Sequence, residues 1–438
     1  MAGDDGGPKR RLPRGRLGRL ARLAAVGARA GSGRLAGLVG DRARAERKIA
    51  EAAADALGNL RGLALKAGQM ASYVDGAVPA EHRDLYEDAM KRLRDAAPHM
   101  GADGARRVIE RELGAPPEEL FATWEAEPFA SASIGQVHRA TLHDQTRVAV
   151  KVQFEGVEDA VAADLDNASV MTSLLGPLGT KFGVGEQMDE VRARLLEELD
   201  YEHEAKRQRH FGALFEGDAT VRVPTVVGDR STRRVLTASF AEGRSFDAAR
   251  AAPEAVRARW AKTLWRFVFR SLFTEGLFNA DPHPGNYLFA DAGVVHFLDF
   301  GCTRALSADN TEKVRELHRR AIAGDRDGLA DQALDTFGMS GVEGIATDLA
   351  REYVVNCFRP IWTEGGFHLT SDYAASLLSG LRDGAWRVLR DGGDVAPLPA
   401  EWVFFNRLQL GFYSVLARLD VEVDYRELDA AILEEAGG

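Results

Sequence analysis

Apolar residues in the first quarter of the chain recur at helical spacing, whereas those in the second quarter alternate with other residues. The recurrence from Leu57 to Met70 predicts a helix over residues 41–73. The alternation over residues 135–142 and 147–154 predicts two strands joined by a turn. Further strands are predicted near residues 222–227, 234–240, 286–289 and 294–298, and further helices up to residue 113, over 186–210 and from residue 253 onward.

This order of elements predicts an α+β protein with a small β-rich lobe followed by a larger, mostly helical lobe. Pro116 and Pro117 mark a boundary before the β-rich part, because proline interrupts helices. The predicted segments are a basic flexible arm at 1–40, a helical extension at 41–125, a β-rich lobe with inserted helices at 126–243 and a helical lobe at 244–438.

Basic charge is concentrated at the start of the chain. The protein has 438 residues and a net charge of −10, yet residues 1–48 hold 13 Lys and Arg against four Asp and Glu, a net charge of +9. Arginine and leucine interleave there, which is typical of segments that contact a membrane surface or an anionic partner and disfavours a nucleic-acid motif. A solvated basic tail is the alternative interpretation.

The composition, 45% hydrophobic and 28% charged, is typical of soluble globular proteins. No stretch approaches the roughly 18 consecutive apolar residues of a membrane-spanning helix, so none is predicted. The two cysteines, Cys302 and Cys357, lack metal-ligand spacing, so we expect neither a disulfide framework nor a zinc site. A reducing, cytoplasmic location fits best.

Four short motifs carry candidate chemistry, and they follow one another in a fixed order. Lys151 is the last residue of a V-A-V-K tetrapeptide within the strand predicted over 147–154, and Glu204 lies on the predicted helix downstream. Asp281 and Asn286 have the D-x-x-x-x-N spacing of protein-kinase catalytic loops, and Asp299 begins a D-F-G turn after a second short strand. Each motif alone is weak, but four in this order indicate a kinase-like nucleotide site.

These residue types suit a nucleotide polyphosphate, whose negative charge has to be neutralised and held. Lys151 would supply positive charge to the α and β phosphates, and Glu204 would pair with the lysine to fix its reach. Asn286 and Asp299 would supply the hard oxygen ligands that Mg²⁺ prefers. Asp281 lies where a base would accept a hydroxyl proton or orient water.

With these motifs the chain resembles the UbiB (AarF) family of atypical, protein-kinase-like proteins, which are associated with ubiquinone and related isoprenoid-lipid metabolism. The resemblance covers roughly residues 45–425. It rests on matches to the family's K-x-G-Q signature, alanine-rich loop, E-x-D segment and catalytic loop: Lys66-Ala67-Gly68-Gln69, Ala130-Ser131-Ala132-Ser133 with Gly135, Glu198-Leu199-Asp200 with Glu204, and Ala280 to Asn286. It implies a bilobal protein-kinase-like fold with a helical K-x-G-Q extension.

The resemblance also implies that ATP or ADP binds with Mg²⁺ and that the alanine-rich loop replaces the glycine-rich nucleotide loop. We expect nucleotide binding to persist with altered geometry, because each Cβ restricts positive φ and close backbone approach to phosphate. The residues that the family pattern assigns to this loop are Ala130, Ser131, Ala132, Ser133 and Gly135.

The E-x-D segment can be divided by helical geometry. On a continuous helix Asp200 and Glu204 lie one turn apart on one face, whereas Glu198 points elsewhere. We therefore assign Glu204 to Lys151. The family pattern implies that Glu198 and Asp200 contact the segment that contains Lys66 and Gln69. All four residues are assigned to the nucleotide-binding set.

Three features depart from the expected patterns. Asn279 stands two residues before Asp281, where the family usually has histidine, and Ser239 stands in the hinge segment where the family usually has glutamate. The second change puts the preference for adenine in question. After Gly301 the chain enters a predicted helix within about ten residues and has no A-P-E element, which disfavours a peptide-docking platform.

Three functions compete. The first is an ATP-binding, Mg²⁺-dependent kinase or ATPase that supports isoprenoid quinone or related lipid metabolism, binds a quinone-like or lipid ligand and contacts the inner membrane peripherally. The second is a non-catalytic, nucleotide-sensing pseudokinase that scaffolds partner enzymes. Retention of Asp281, Asn286 and Asp299 favours the first, because a scaffold could dispense with metal ligands. An ordinary protein kinase is disfavoured by the missing activation segment.

Overall fold

A computed structural model describes five parts of the chain. They are residues 100–132, 134–159, 199–341, 344–390 and 400–437, with the side chains of 381–383, 385–390 and 400–408 excepted. Apart from residues 156–159, the described residues belong to one compact unit made of residues 69–84, 99–155 and 193–438. The predicted arm, the helix at 41–73 and the K-x-G-Q motif lie outside the described residues, and the predicted segment boundaries stay predictions.

The described residues form helices and short strands in a mixed order. The helices are α1 (Ala102–Leu113), α2 (Pro117–Leu120), α3 (Tyr201–Leu214), α4 (Phe246–Arg250), α5 (Glu254–Glu275), α6 (Ala308–Ala323), α7 (Arg326–Thr336), α8 (Ile345–Cys357), α9 (Arg359–Trp362), α10 (Ser371–Arg390), α11 (Ala400–Leu419) and α12 (Tyr425–Glu435). The strands are β1 (Thr123–Trp124), β2 (Ala130–Ala132), β3 (Gly135–Thr141), β4 (Arg147–Gln153), β5 (Val221–Arg222), β6 (Val235–Ser239), β7 (Leu277–Asn279), β8 (Tyr287–Phe289), β9 (Val295–Phe297), β10 (Thr303–Ala305), β11 (Phe367–His368) and β12 (Glu422–Val423).

The small lobe is built on an antiparallel sheet in the order β1–β3–β4–β6, with β2 also paired to β3. Alternation puts Val150 and Val152 of β4 on one face, where they are buried with Val108 and Ile109 of α1. Burial of each such side chain contributes about 1.5–3 kcal/mol. Lys151 lies between the two valines and therefore points to the opposite face of the sheet.

The first three residues of the alanine-rich segment form a strand, whereas the family pattern predicted a loop there. Residues Ala130–Ala132 form β2, which pairs antiparallel with β3 so that Ala132 lies opposite Gly135. A residue with a Cβ avoids the left-handed backbone conformations that a glycine-rich loop uses. The segment therefore adopts extended backbone and joins the sheet.

Helix α3 begins at Tyr201 and does not run continuously through Asp200. The backbone of Asp200 is extended, and its carboxylate accepts hydrogen bonds from the backbone N–H of Glu202 (2.9 Å) and of His203 (3.2 Å). Asp200 is thus the N-cap, because its side chain satisfies N–H groups that lack helical partners. The prediction that Asp200 and Glu204 share one face of a continuous helix is wrong for this reason.

The large lobe packs around the central helix α5. Trp265 of α5 packs against Tyr425 of α12 with tilted rings whose centroids are 4.5 Å apart, and it donates a hydrogen bond from Nε1 to Asp429 at 3.0 Å. The other oxygen of Asp429 accepts from Nδ1 of His318 on α6 at 2.6 Å. Because Asp429 is fully buried, these two donors satisfy a carboxylate that would otherwise destabilise the core.

The α+β, two-lobed prediction is confirmed, and most predicted strands lie within two residues of the observed ones. The pairs β7–β10 and β11–β12 were not predicted, because strands of two or three residues are too short to show alternation. Within the described ranges, no helix is both long and apolar enough to cross a membrane.

Candidate active site

Lys151 and Glu204 form an ion pair at the centre of the site. Nζ of Lys151 donates to both carboxylate oxygens of Glu204, each at 2.9 Å. Alternation along β4 presents the lysine, and the first turn of α3 presents the glutamate. Only 4% of the Glu204 side chain is exposed. The structure therefore brings together the two residues that the sequence motifs paired.

The charge of Lys151 is held by more than one neighbour. Oδ2 of Asp299 lies 3.7 Å from Nζ of Lys151, and the Tyr201 ring centroid lies 4.8 Å from the same nitrogen. Burial opposes the charged form, but the negative charges of Asp299 and Glu204 outweigh it and raise the pKa of Lys151 well above its ordinary value. The ammonium group is therefore protonated near neutral pH.

A short hairpin places Asn286 beside the D-F-G turn. Strands β8 and β9 pair antiparallel with Tyr287 opposite Phe297, so Asn286 precedes one strand where Asp299 follows the other. The backbone N–H of Leu298 donates to the carbonyl of Asn286 at 3.0 Å, which extends this pairing by one step. Two residues 13 positions apart in sequence are thus brought to the same end of one hairpin.

Asn279 connects the catalytic loop to the D-F-G turn. Its Nδ2 donates to the carbonyl of Asp299 at 2.6 Å, and its Oδ1 accepts from the backbone N–H of Asp281 at 3.1 Å. Nδ2 of Asn286 in turn donates to the carbonyl of Asp281 at 3.1 Å. The three predicted catalytic and metal-binding residues therefore share one hydrogen-bonded network, in which Asn279 is the central member.

The donor set at this end of the hairpin fits Mg²⁺. Nδ2 of Asn286 donates a hydrogen bond to the backbone carbonyl of Asp281. The side-chain oxygen is therefore the atom of this residue that can coordinate a metal ion. Oδ1 of Asp299 accepts from the backbone N–H of Gly301 at 2.9 Å, which fixes the orientation of the carboxylate. One amide oxygen and one carboxylate match a Mg²⁺ site that phosphate oxygens and water complete. No cluster of three or more His, Cys, Asp or Glu suited to a metal occurs among the residues with described positions.

The β2–β3 hairpin lies close to the start of α3. A Cβ on Gly135 would lie 2.4 Å from the carbonyl oxygen of Val152 and 2.9 Å from the hydroxyl oxygen of Tyr201, so only glycine fits there. The nucleotide contacts assigned to Ala130, Ser131, Ala132 and Gly135 stay predictions. Four other predicted members of the nucleotide-binding set lie outside the described residues, namely Ser133, Lys66, Gln69 and Glu198.

Sequence reasoning missed the roles of two residues. Asn279 was treated as a departure from the family pattern, although its distance of two residues from Asp281 was a usable signal. Tyr201 gave no signal, because its ring meets Lys151 only through the packing of α3. Oγ of Ser239, in the hinge segment, accepts a hydrogen bond from the backbone N–H of Thr225 at 2.8 Å. This hydrogen bond links the last residue of β6 to the segment that contains Thr225.

The chain is similar to proteins of one family. The sequence model of the ABC1 atypical kinase-like domain matches residues 92–333, which is more than half of the chain. A protein of Rattus norvegicus named "Atypical kinase COQ8B, mitochondrial" is 30% identical over 434 residues, which cover 96% of this chain and 81% of that protein. A Saccharomyces cerevisiae protein named "Atypical kinase COQ8, mitochondrial" is 27% identical over 372 residues, covering 84% of this chain and 73% of that protein.

A solved structure shows the same fold. The complex of the Mycobacterium tuberculosis protein Rv3197 with erythromycin has a TM-score of 0.61 and 26% sequence identity, and the match covers 84% of this chain and 90% of that chain. The bilobal kinase-like fold is confirmed by this similarity together with the family match. The resemblance to UbiB (AarF) proteins is likewise confirmed, and the chain belongs to the ABC1 atypical kinase-like family.

Proposed function

We propose that this chain binds an adenine nucleotide with Mg²⁺ and transfers or hydrolyses its terminal phosphoryl group. The observation that carries the proposal is the placement of Nζ of Lys151, 2.9 Å from both oxygens of Glu204 and 3.7 Å from Asp299. A kinase-like site requires both the lysine–glutamate pair and the metal-binding aspartate to be in place. This arrangement satisfies both requirements at once.

Each residue of the site has a distinct task. Lys151 neutralises phosphate charge, and Glu204 keeps the lysine from folding away from the nucleotide. Asn286 and Asp299 would hold Mg²⁺, which offsets charge on the phosphate oxygens when it is bound. Asp281 accepts the proton of an attacking hydroxyl group or orients a water molecule. Because Asn279 forms hydrogen bonds to both loops, it fixes the position of the base relative to the metal-binding groups.

The phosphoryl acceptor is a small molecule, a lipid or water, and not a docked protein. Between Gly301 and α6, which begins at Ala308, the chain has room for only the short strand β10. This strand is already paired with β7. An ordinary protein kinase has a longer activation segment in this position, so the surface on which a peptide would dock is missing from the described part of the large lobe.

An isoprenoid, quinone-like lipid at a membrane surface is the ligand class that we propose. Support comes from the resemblance to UbiB proteins and from relatives whose names contain COQ8. The basic segment 1–48 would provide a peripheral contact with an anionic membrane. Hydrolysis of ATP by the purified chain, measured with and without vesicles that contain anionic lipid and a quinone analogue, tests whether this ligand class stimulates turnover.

Replacement of one metal-binding group tests the nucleotide assignment. Asp299→Asn keeps the size of the side chain but removes the negative charge. We expect Mg-ATP to raise the melting temperature of the wild type and to raise that of Asp299→Asn much less, because stabilisation by a ligand follows RT ln(1 + [L]/Kd). Asp291→Asn is the matched control, since Asp291 lies at the other end of the β8–β9 hairpin with 88% of its side chain exposed. Equal stabilisation of all three proteins would show that Asp299 does not bind the metal.

The pseudokinase alternative predicts binding without turnover. Wild-type protein that is stabilised by Mg-ATP but releases no more phosphate than Asp281→Asn would favour the scaffold. Phosphate release that is lost in Asp281→Asn while Mg-ATP stabilisation is retained would favour the enzyme, because only the base has then been removed.

A further inference from the structure

A cleft of about 610 Å³ opens between α8 and α10 of the large lobe, and none of the nucleotide-site residues lines it. Its volume lies within the range of about 300–1,000 Å³ that is typical of small-molecule sites. Leu349 and Tyr353 of α8 face Leu377 and Gly380 of α10 across the cleft. Apolar and aromatic side chains thus form part of the lining, and helical backbone forms part of one wall; the polar members of the lining are Glu352, Asn356, Arg359 and Ser376.

The two helices run in opposite directions along the cleft, which gives it two different ends. Leu349 and Gly384 meet at one end, where a Cβ on the glycine would lie 3.7 Å from Cδ1 of Leu349. At the other end the hydroxyl of Tyr373 donates to the carbonyl of Asn356 at 2.6 Å. From Leu349 to Asn356 the helix rises by about 10 Å. The cleft thus suits an elongated molecule about 10 Å long.

Gly380 keeps the middle of the cleft open. Within the part of the chain that the structure describes, nothing lies within 4 Å of a Cβ at this position, unlike a Cβ at Gly384. Glycine inside a helix destabilises it by about 1 kcal/mol relative to alanine. The described residues thus leave the space beside Gly380 open, so a large side chain at this position would fill part of the cleft.

Three exposed polar side chains line the cleft, namely those of Arg359, Asn356 and Glu352. Among the described residues, none lies within ion-pair distance of Arg359 or Glu352. The Arg359 guanidinium lies 5.9 Å from the centroid of the Phe367 ring, and its charge also acts on the phenol of Tyr373. Glu352 lies one helical turn before Asn356, whereas Arg359 follows Asn356 at the start of α9. The positive charge of Arg359 therefore lies farther along the cleft than the negative charge of Glu352.

We propose that this cleft binds a small amphipathic anion, with its apolar body between Tyr353 and Gly380 and its anionic group at Arg359 and Asn356. Arg359 supplies the opposite charge, and the Asn356 amide supplies a further hydrogen-bond donor. Glu352 selects against a second negative charge near the middle of the ligand. The site lies outside the nucleotide-binding machinery, so its existence does not depend on the proposed function.

Fluorescence titration of the full chain with anilinonaphthalene sulfonate tests the proposal, because this probe combines aromatic rings with one sulfonate. Gly380→Leu fills the cleft, and Gly380→Ala is the matched control that adds one methyl group in open space. We expect Gly380→Leu to weaken the saturable binding by about tenfold or more, and Gly380→Ala to change it by less than about threefold. Both variants should melt at or above the temperature of the wild type, because leucine and alanine favour helix over glycine.

A neutral probe tests the anionic end separately. Arg359→Gln should weaken binding of the sulfonate by about tenfold and leave binding of uncharged phenylnaphthylamine unchanged, since only the former gains a charge-assisted hydrogen bond. Equal affinity for the sulfonate in wild type, Gly380→Leu and Arg359→Gln would overturn the proposal. Equal weakening of both probes by Arg359→Gln would also overturn it, because the arginine would then have no role specific to an anion.

Discussion

At the scale of single residues, Asn279 replaces the histidine that is usual in the family and still connects the catalytic loop to the D-F-G turn by hydrogen bonds. The side-chain amide carries a donor nitrogen and an acceptor oxygen on the same carbon; the nitrogen donates to the Asp299 carbonyl, and the oxygen accepts from the Asp281 N–H. Histidine, which usually stands at this position in the family, also offers one donor and one acceptor. The chemistry of the connection therefore limits the substitution to residues that can do both.

Substitutions of Asn279 test this explanation. Asn279→Asp has nearly the same shape but cannot donate to the Asp299 carbonyl, so we expect a loss of about 1–3 kcal/mol in the free energy of unfolding and weaker Mg-ATP stabilisation. Asn279→His should retain most of both properties, because imidazole supplies a donor and an acceptor. Urea denaturation and thermal shift with Mg-ATP provide the measurements. Equal behaviour of the aspartate and histidine variants would contradict the role of the hydrogen bonds.

At the scale of elements, α3 joins the ion pair to the core of the large lobe. Glu204 lies in its first turn, and Phe211 near its end is fully buried. The Phe211 ring centroid lies 5.3 Å from that of Phe267 on α5 and 5.2 Å from that of Phe300 in the D-F-G turn. Because such packed aromatic pairs are rigid, the position of Glu204 depends on the core of the large lobe as well as on the sheet.

The segment after α3 is fixed to α5 by a buried carboxylate. Burial opposes the charged form of Asp218, but hydrogen bonds from Arg266 and from the backbone N–H of Thr220 and Val221 outweigh it and lower the pKa of Asp218 to about 2. Arg270 also donates to Asp218, at 2.9 Å. The folded protein therefore binds the proton of this carboxyl more weakly than the unfolded chain does.

This shift predicts a stability that depends on pH. The contribution of Asp218, on the order of 2 kcal/mol, should be fully present above about pH 4 and decline as the pH falls toward the folded pKa of about 2. Asp218→Asn should therefore lower the free energy of unfolding near neutral pH and make less difference at pH 3. Urea denaturation across this range measures the difference, with the 74%-exposed Asp229→Asn as control. A constant difference between Asp218→Asn and wild type at all pH values would contradict the shifted pKa.

At the scale of the whole molecule, the distribution of charge separates the first 48 residues from the rest. That segment carries +9, so the remainder carries −19. Each basic residue near an anionic membrane contributes up to about 1 kcal/mol, and the attraction falls within a Debye length of roughly 8 Å at physiological salt. We therefore expect residues 1–48 to be the part of the chain that contacts an anionic membrane.

Vesicle co-sedimentation tests the role of the basic segment. We expect the full chain to bind vesicles of anionic lipid at low salt and to be released at high salt. A full-length variant with glutamine in place of six arginines should bind weakly, and it keeps the length of the segment; the positions are Arg10, Arg11, Arg14, Arg16, Arg19 and Arg22. Equal binding by both proteins at low salt would exclude the segment as the membrane contact.

Sequence reasoning succeeded where a residue type and a spacing carry the chemistry. Lys151 on an alternating strand, Asp281 with Asn286 five residues later and Asp299 before Phe-Gly are local patterns, and local patterns can be identified without tertiary structure. Reasoning from helical spacing failed at Asp200, because a capping residue and a helical residue have the same spacing to Glu204 but different backbone conformations.

The sequence by itself determined the order of elements, the kinase-like motifs and the charge of the first segment, since each depends on neighbours along the chain. Only the tertiary structure decided that β4 pairs with β6, that Asn279 hydrogen-bonds to Asp299, 20 residues later, and that Gly380 of α10 faces a cleft shared with α8. These features arise from contacts between residues distant in sequence. Such contacts depend on how whole elements pack, and no local pattern of residue types encodes that packing.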